Sequence, residues 1–154
     1  MRCELDVAYG KGAMETLDIF PAKSRHAPVV VFIHGGYWKA FDKSYWSQLA
    51  HGAIARGHAV ALPSYRLCPE VRIGEITSDI AAAIAAAAGE IAGPLFLTGH
   101  SAGGHLAACL LATDWTAIAP DVPKDLVPAA YAISGLFDLE PLTHLESNLD
   151  FKLD

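Results

Sequence analysis

Apolar and polar residues alternate over positions 3–9 and again over 15–20, with the turn sequence Tyr9-Gly10-Lys11-Gly12 between them. A period of two turns one face to a core and the other to water, so these stretches predict an antiparallel hairpin, polar on one face. After Pro28 the pattern changes. Val29-Val30-Val31-Phe32-Ile33 is apolar at every position, and 58–63 and 94–98 are nearly so. Runs of this length without alternation predict strands buried on both faces. Residues 128–134 predict a fourth such strand. Between them the spacing becomes helical. Residues 44–56 predict a helix with Tyr45, Leu49, Ala53 and Ile54 on one side, ended by Gly57. Residues 74–89 predict another, striped by Ile76, Ile80, Ile84 and Ala87 and extended by Ile91, with Glu75, Ser78 and Asp79 off the stripe. Residues 102–112 predict a third. Trp115 to Val127 reads as a loop, followed after the fourth strand by a short helical turn near 139–145 and a polar tail. Buried strands alternating with helices predict an α/β fold: a mostly parallel sheet, helices on both faces, and an N-terminal antiparallel hairpin.

Composition narrows the partners. Hydrophobic residues make up 53% of the 154 and charged residues 18%, enough for a core and unlike a disordered chain. A net charge of −6 argues against nucleic acid or an anionic membrane as the main partner. No apolar run reaches the length of a membrane span, and the first residues lack the apolar core of a signal peptide, so a cytoplasmic location is the expectation. Cys3, Cys68 and Cys109 are odd in number and widely spaced, which predicts reduced thiols. No Cys/His cluster has metal-ligand spacing, so neither a metal nor a cofactor is expected.

The chemistry concentrates at Gly99-His100-Ser101-Ala102-Gly103, between a predicted buried strand and a predicted helix. A Gly-x-Ser-x-Gly string in that setting predicts a strained turn that presents the serine as a nucleophile at a helix N-terminus. Side chains at 99 and 103 would collide with neighbouring backbone. The competing reading is a serine N-cap without chemistry. A second signal follows the first buried strand: His34-Gly35-Gly36-Tyr37-Trp38. Acyl transfer needs backbone N–H groups aimed at a developing oxyanion, and glycines let backbone come close. The expected donors are Gly36, Tyr37 and Ala102, with His34 as a hydrogen-bonding support and a plain tight turn as the competing reading. Tyr37 and Trp38 are candidate substrate contacts; Phe41, Tyr45 and Trp46 read as packing.

His-Gly-Gly at 34–36, Tyr-Arg-Leu-Cys-Pro-Glu at 65–70 and Gly-His-Ser-Ala-Gly-Gly-His at 99–105 resemble the α/β-hydrolase esterases of the hormone-sensitive-lipase-like group. Tyr37-Trp38, Leu67-Cys68-Pro69-Glu70-Val71-Arg72-Ile73 and the stretch from Ser134 to Leu142 make the chain most similar to the bacterial kynurenine formamidase (arylformamidase) branch. The resemblance implies a serine hydrolase that cleaves an ester or an N-formyl amide through an acyl-enzyme. N-formyl-kynurenine is then the expected substrate and a general small-ester carboxylesterase the alternative, with a small-molecule partner and a homodimer as an option. In that fold the triad acid and base follow the serine late in the chain. They are expected beyond residue 154, which makes residues 1–154 the N-terminal portion of one domain, inactive without them. A sheet ending on its fourth buried strand also exposes an edge. Within the chain, Asp138 is a minor candidate for the acid and His144 a weaker one for the base. His105 reads as structural, and His26, His51, His58 and His100 as surface or packing residues.

Overall fold

A computed structural model describes residues 3–118 and 122–153. Six strands form one sheet: β1 (Glu4–Ala8), β2 (Thr16–Phe20), β3 (Val29–Ile33), β4 (Ala59–Pro63), β5 (Leu95–His100) and β6 (Ala129–Ile133), in the order β1-β2-β4-β3-β5-β6. β1–β2 and β2–β4 are antiparallel; β4, β3, β5 and β6 run parallel. The predicted hairpin and mostly parallel sheet are both present. One face of the sheet carries α2 (Ile73–Glu90) and α3 (Ala102–Leu111) over Val29, Val31, Ile33, Leu95 and Leu97. The other carries α1 (Ala50–Ala55) over Phe32, Val60 and Leu62. In β3 and β4 every residue but Val30 is buried, which is why those segments show no alternation. Among the described residues no helix is long and apolar enough to cross a membrane.

The predicted helix at 44–56 is two pieces: a 3₁₀ segment, Lys43–Leu49, capped by Asp42, and then α1. Its inward face is also displaced. Tyr45 and Leu49 are exposed, while Trp46, Ala50, Ala53 and Ile54 pack inward. The cause is Lys43, whose ammonium turns into the protein and lies 2.9 Å from the buried Asp18 carboxylate and 2.5 Å from that of Asp6. Its backbone N–H donates to Ser64 Oγ at 3.0 Å. That anchor sets which face turns inward, and a stripe counted at 3.6 residues per turn slips on a 3₁₀ segment. Gly57, at φ +84°, ends α1 in the left-handed region as predicted.

Four other readings change. Asp79 in α2 is not off the buried face: it is 4% exposed and paired with Arg66. β6, expected to be buried, is largely exposed, with Tyr131 at 70%, and among the described residues it forms the expected open sheet edge. The stretch from Trp115 is not all loop, since Trp115–Ile118 forms the turn α4 and buries Trp115; residues 119–121 of that stretch lie outside those described. After a 3₁₀ turn at Glu140–His144, the expected polar tail forms a further turn, α5 (Asn148–Phe151), which buries Phe151 completely.

Candidate active site

The sheet register builds the site. Ile33 of β3 pairs with Gly99 of β5, and His100 pairs with Ile133 of β6. The segments leaving these strands at their C-terminal ends therefore emerge side by side, the place where open parallel sheets bind ligands. Ser101 N–H continues the ladder by donating to Ile133 O at 2.9 Å. The chain then reverses sharply into α3, and Ser101 has φ 57° and ψ −117°. A Cβ on Gly99 would lie 2.2 Å from Gly103 O, and one on Gly103 would lie 2.0 Å from Ile33 O. Both glycines thus meet backbone, as the sequence pattern requires. Ser101 occupies the N-cap position of α3, yet its hydroxyl makes no hydrogen bond to the helix. It sits partly exposed above the N-terminus of a ten-residue helix.

The His34-Gly35-Gly36 loop lies against this turn. A Cβ on Gly35 would be 2.7 Å from His100 O and 3.3 Å from Ser101 Cβ. Gly36 has φ +120°, and its carbonyl accepts from Lys39 N–H at 3.0 Å and Ala40 N–H at 3.1 Å. That tight turn leaves Tyr37 and Trp38 at φ 57° and Phe41 at φ 73°. Bulky residues in the left-handed region cost about 1–3 kcal/mol each and persist where the surroundings hold them, which is common at functional sites. Among the described residues the amides of Gly36, Tyr37 and Ala102 donate to no protein acceptor.

A layer of support lies behind the loop. His34 is buried, its Nδ1 donates to Gly35 O at 2.7 Å, and its ring stacks on Tyr65 at 4.2 Å and 7°. Burial lowers the His34 pKa to about 4, so the ring is neutral at pH 7. The Tyr65 hydroxyl, which burial keeps protonated, donates to His34 O at 2.9 Å. Cys68 N–H donates to Trp38 O at 2.8 Å. The segment carrying Tyr65 and Cys68 is fixed to α2 by Arg66, whose guanidinium donates to both Asp79 oxygens at 2.9 and 2.6 Å and whose N–H donates to Oδ2 at 3.2 Å. The sequence reading missed this pair. The available signal was Asp79's place three residues after Ile76 and four before Ala83, both buried.

The other candidates separate. Tyr37 is partly exposed beside the loop. Trp38, the other expected substrate contact, has no accessible surface among the described residues; it packs edge-on to His105 at 5.3 Å and Phe151 at 5.6 Å, the arrangement of a packing residue. Phe41 and Tyr45 pack on each other yet stay exposed, while Trp46 packs on Phe32. Asp138 is exposed, and its carboxylate accepts from Glu140 N–H at 3.1 Å, capping the turn that follows. His144 is exposed, and His105 Nε2 lies 3.4 Å from Cys109 Sγ. His26, His51 and His100 are exposed and His58 is half-buried. Among the described residues no imidazole hydrogen-bonds Ser101, and no three His, Cys, Asp or Glu side chains gather as metal ligands.

The chain resembles known proteins over almost its whole length. A family model described as BD-FAE matches residues 17–118. The kynurenine formamidase of Danio rerio is 34% identical over 155 residues, covering 97% of this chain and 51% of its own. A crystal structure of a Silicibacter protein provisionally called a thioesterase superposes with TM-score 0.91 and 49% identity, over 99% of this chain and 57% of that one. Esterase B of Lactobacillus rhamnosis superposes with TM-score 0.62 and 30% identity, over 70% and 38%. The chain spans about half the length of the curated kynurenine formamidases it matches. It belongs to the BD-FAE family and carries the α/β-hydrolase fold of the esterases related to arylformamidase.

Proposed function

We propose that the protein is a serine hydrolase in which Ser101 attacks a carbonyl carbon and the amides of Gly36, Tyr37 and Ala102 hold the resulting oxyanion. The observation that carries this reading is the pairing of Ile33 with Gly99, which brings the glycine loop against a serine held at φ 57° with its hydroxyl unused by the helix behind it. Support also comes from three N–H groups that meet no protein acceptor among the described residues, two on the loop whose Gly35 abuts Ser101 and one at the start of α3.

In this reading an imidazole from outside residues 1–154 takes the Ser101 proton, with its partner acid also outside. Support comes from the described histidines, none of which bonds Ser101, and from relatives about twice as long as this chain. The imidazolium protonates the leaving group as its bond to the acyl carbon breaks. Water, deprotonated by the same imidazole, then releases the acyl group from Ser101.

The substrate favoured is an N-formyl aryl amide such as N-formyl-kynurenine, with the formyl group on Ser101 in the intermediate and formate and kynurenine as products. The relatives called kynurenine formamidase and the exposed Tyr37 and Phe41 rings beside the loop support it. A small-ester carboxylesterase is the second reading, supported by the likeness to esterase B. The test is fluorophosphonate labelling of the intact protein and of Ser101→Ala, with turnover of N-formyl-kynurenine set against p-nitrophenyl acetate. Labelling confined to Ser101, and kcat lowered roughly 10⁶-fold in Ser101→Ala, is the expected outcome. Equal labelling of both proteins refutes the nucleophile. Turnover of the ester alone selects the second reading.

A further inference from the structure

The strained loop needs a grip, and the structure shows where it comes from. Tyr37 and Trp38, adjacent residues in the left-handed region, both touch one side chain: the Phe151 ring lies 5.5 Å from the first and 5.6 Å from the second. The next loop residue, Lys39, places its ammonium 5.9 Å from the centre of the same ring and pairs with Asp150. On its far side Trp38 meets His105, one helical turn after Ser101, and His105 N–H donates to Ser101 O at 3.1 Å. Phe151, Trp38 and His105 therefore form a continuous row of edge-on ring contacts from α5 through the glycine loop to the helix behind the serine.

We infer that Phe151 is a positioning residue: it presses Trp38 against His105 and so fixes the Gly36 and Tyr37 amides relative to Ser101. The inference rests on the function proposed above. What distinguishes Phe151 from an ordinary core residue is its element. α5 is a single turn, and Phe151 is fully buried whereas Leu149 beside it is 77% exposed. Clefts of about 530 and 420 Å³, lined by residues between Thr143 and Lys152 and by Lys39, run along it. A single turn whose buried residues are Asn148 and Phe151 can detach without unfolding the sheet, and the loop it grips then relaxes out of its strained conformation.

The test uses Phe151→Ala, Phe151→Leu and, as a control on the same turn, Leu149→Ala. Steady-state kinetics on the substrate that the wild type turns over are paired with deuterium uptake of the 36–41 and 95–100 segments. Phe151→Ala should lower kcat about 10²-fold with KM nearly unchanged, because misplaced oxyanion donors cost transition-state stabilisation. Uptake should rise at 36–41 and not at 95–100. Phe151→Leu should recover at least about tenfold of the lost kcat, and it carries the test if the alanine variant does not fold. Leu149→Ala should match the wild type. Wild-type kcat in Phe151→Ala, or uptake raised equally in both segments, overturns the inference. If the wild type neither turns over substrate nor labels at Ser101, the proposed function fails, and uptake at 36–41 alone decides: no rise in Phe151→Ala overturns the grip.

Discussion

Replacing Gly103 by alanine places a methyl carbon 2.0 Å from Ile33 O and 2.6 Å from His34 O. Real Cβ atoms essentially never approach closer than 3.0 Å, so something must retreat by about 1 Å. Both obstacles are backbone, and neither can swing aside. Ile33 is locked in the central strand opposite Gly99, and α3 is held to the sheet by the fully buried Leu106, Ala107 and Leu110. Overpacking of this kind costs about 1–3 kcal/mol. The displacement also falls between Ala102 and the His34 loop, the two sources of the proposed oxyanion donors. A 1 Å misplacement there lowers the rate about 10²-fold. Gly74 and Gly89 supply the control. Both lie in α2, and a Cβ on either meets nothing within 4 Å. Alanine at those positions should be neutral or stabilise by up to about 1 kcal/mol. Urea midpoints at unchanged m-value give the stabilities, and the rate of fluorophosphonate labelling reads the site. A Gly103→Ala protein with the wild-type midpoint and labelling rate refutes the close-approach argument. Gly74→Ala destabilised as much as Gly103→Ala would mean that the steric reading had nothing to do with the loss.

Two further outcomes follow from the buried titratable groups. Lys43→Met leaves the buried Asp18 carboxylate without its cation and should cost about 3–5 kcal/mol at pH 7, while Lys43→Met with Asp18→Asn recovers much of that; strictly additive single losses in urea unfolding contradict the pairing. His34 has a folded pKa of about 4, below the ordinary 6.5, so the unfolded chain binds the extra proton between those values. Its contribution to stability is fully present above pH 6.5 and is lost as the pH falls toward 4, by roughly 3 kcal/mol in all. His34→Gln should flatten urea midpoints measured across that window, and an unchanged slope shows that His34 is not the group responsible.

How much of this was legible depends on the range of the interaction concerned. The strands at 29–33 and 58–63 could be read because burial on both faces forces an unbroken apolar run, whatever the rest of the chain does. The α2 stripe could be read because Ile76, Ile80 and Ile84 lie on a single face. Gly99 and Gly103 could be read because the turn they permit is local. The ion pairs could not. Asp79 finds Arg66 across 13 residues and Lys43 finds Asp6 across 37, and no rule of spacing links such positions. Lys43 shows the consequence: once its ammonium turns inward to meet Asp18, the helix expected around Tyr45 and Leu49 presents a different face to the sheet.

Trp38 marks the same limit within the site. Next to a glycine pair, an aromatic residue reads equally well as a substrate contact or as packing, because the local sequence is the same in both cases. What decides is Phe151, a lone aromatic residue among Asn148, Asp150 and Lys152 in a stretch that sequence alone takes for a polar tail. That ring covers Trp38 and leaves Tyr37, its neighbour in the same strained conformation, partly open to solvent. The two aromatics therefore differ in place: Trp38 faces the protein and packs between His105 and Phe151, while Tyr37 keeps an accessible ring and, in the proposed function, offers its amide to the oxyanion. Under the proposed function the loop needs both, since its amides hold an oxyanion only if they are rigid, and rigidity at φ 57° has to be imposed from outside the loop.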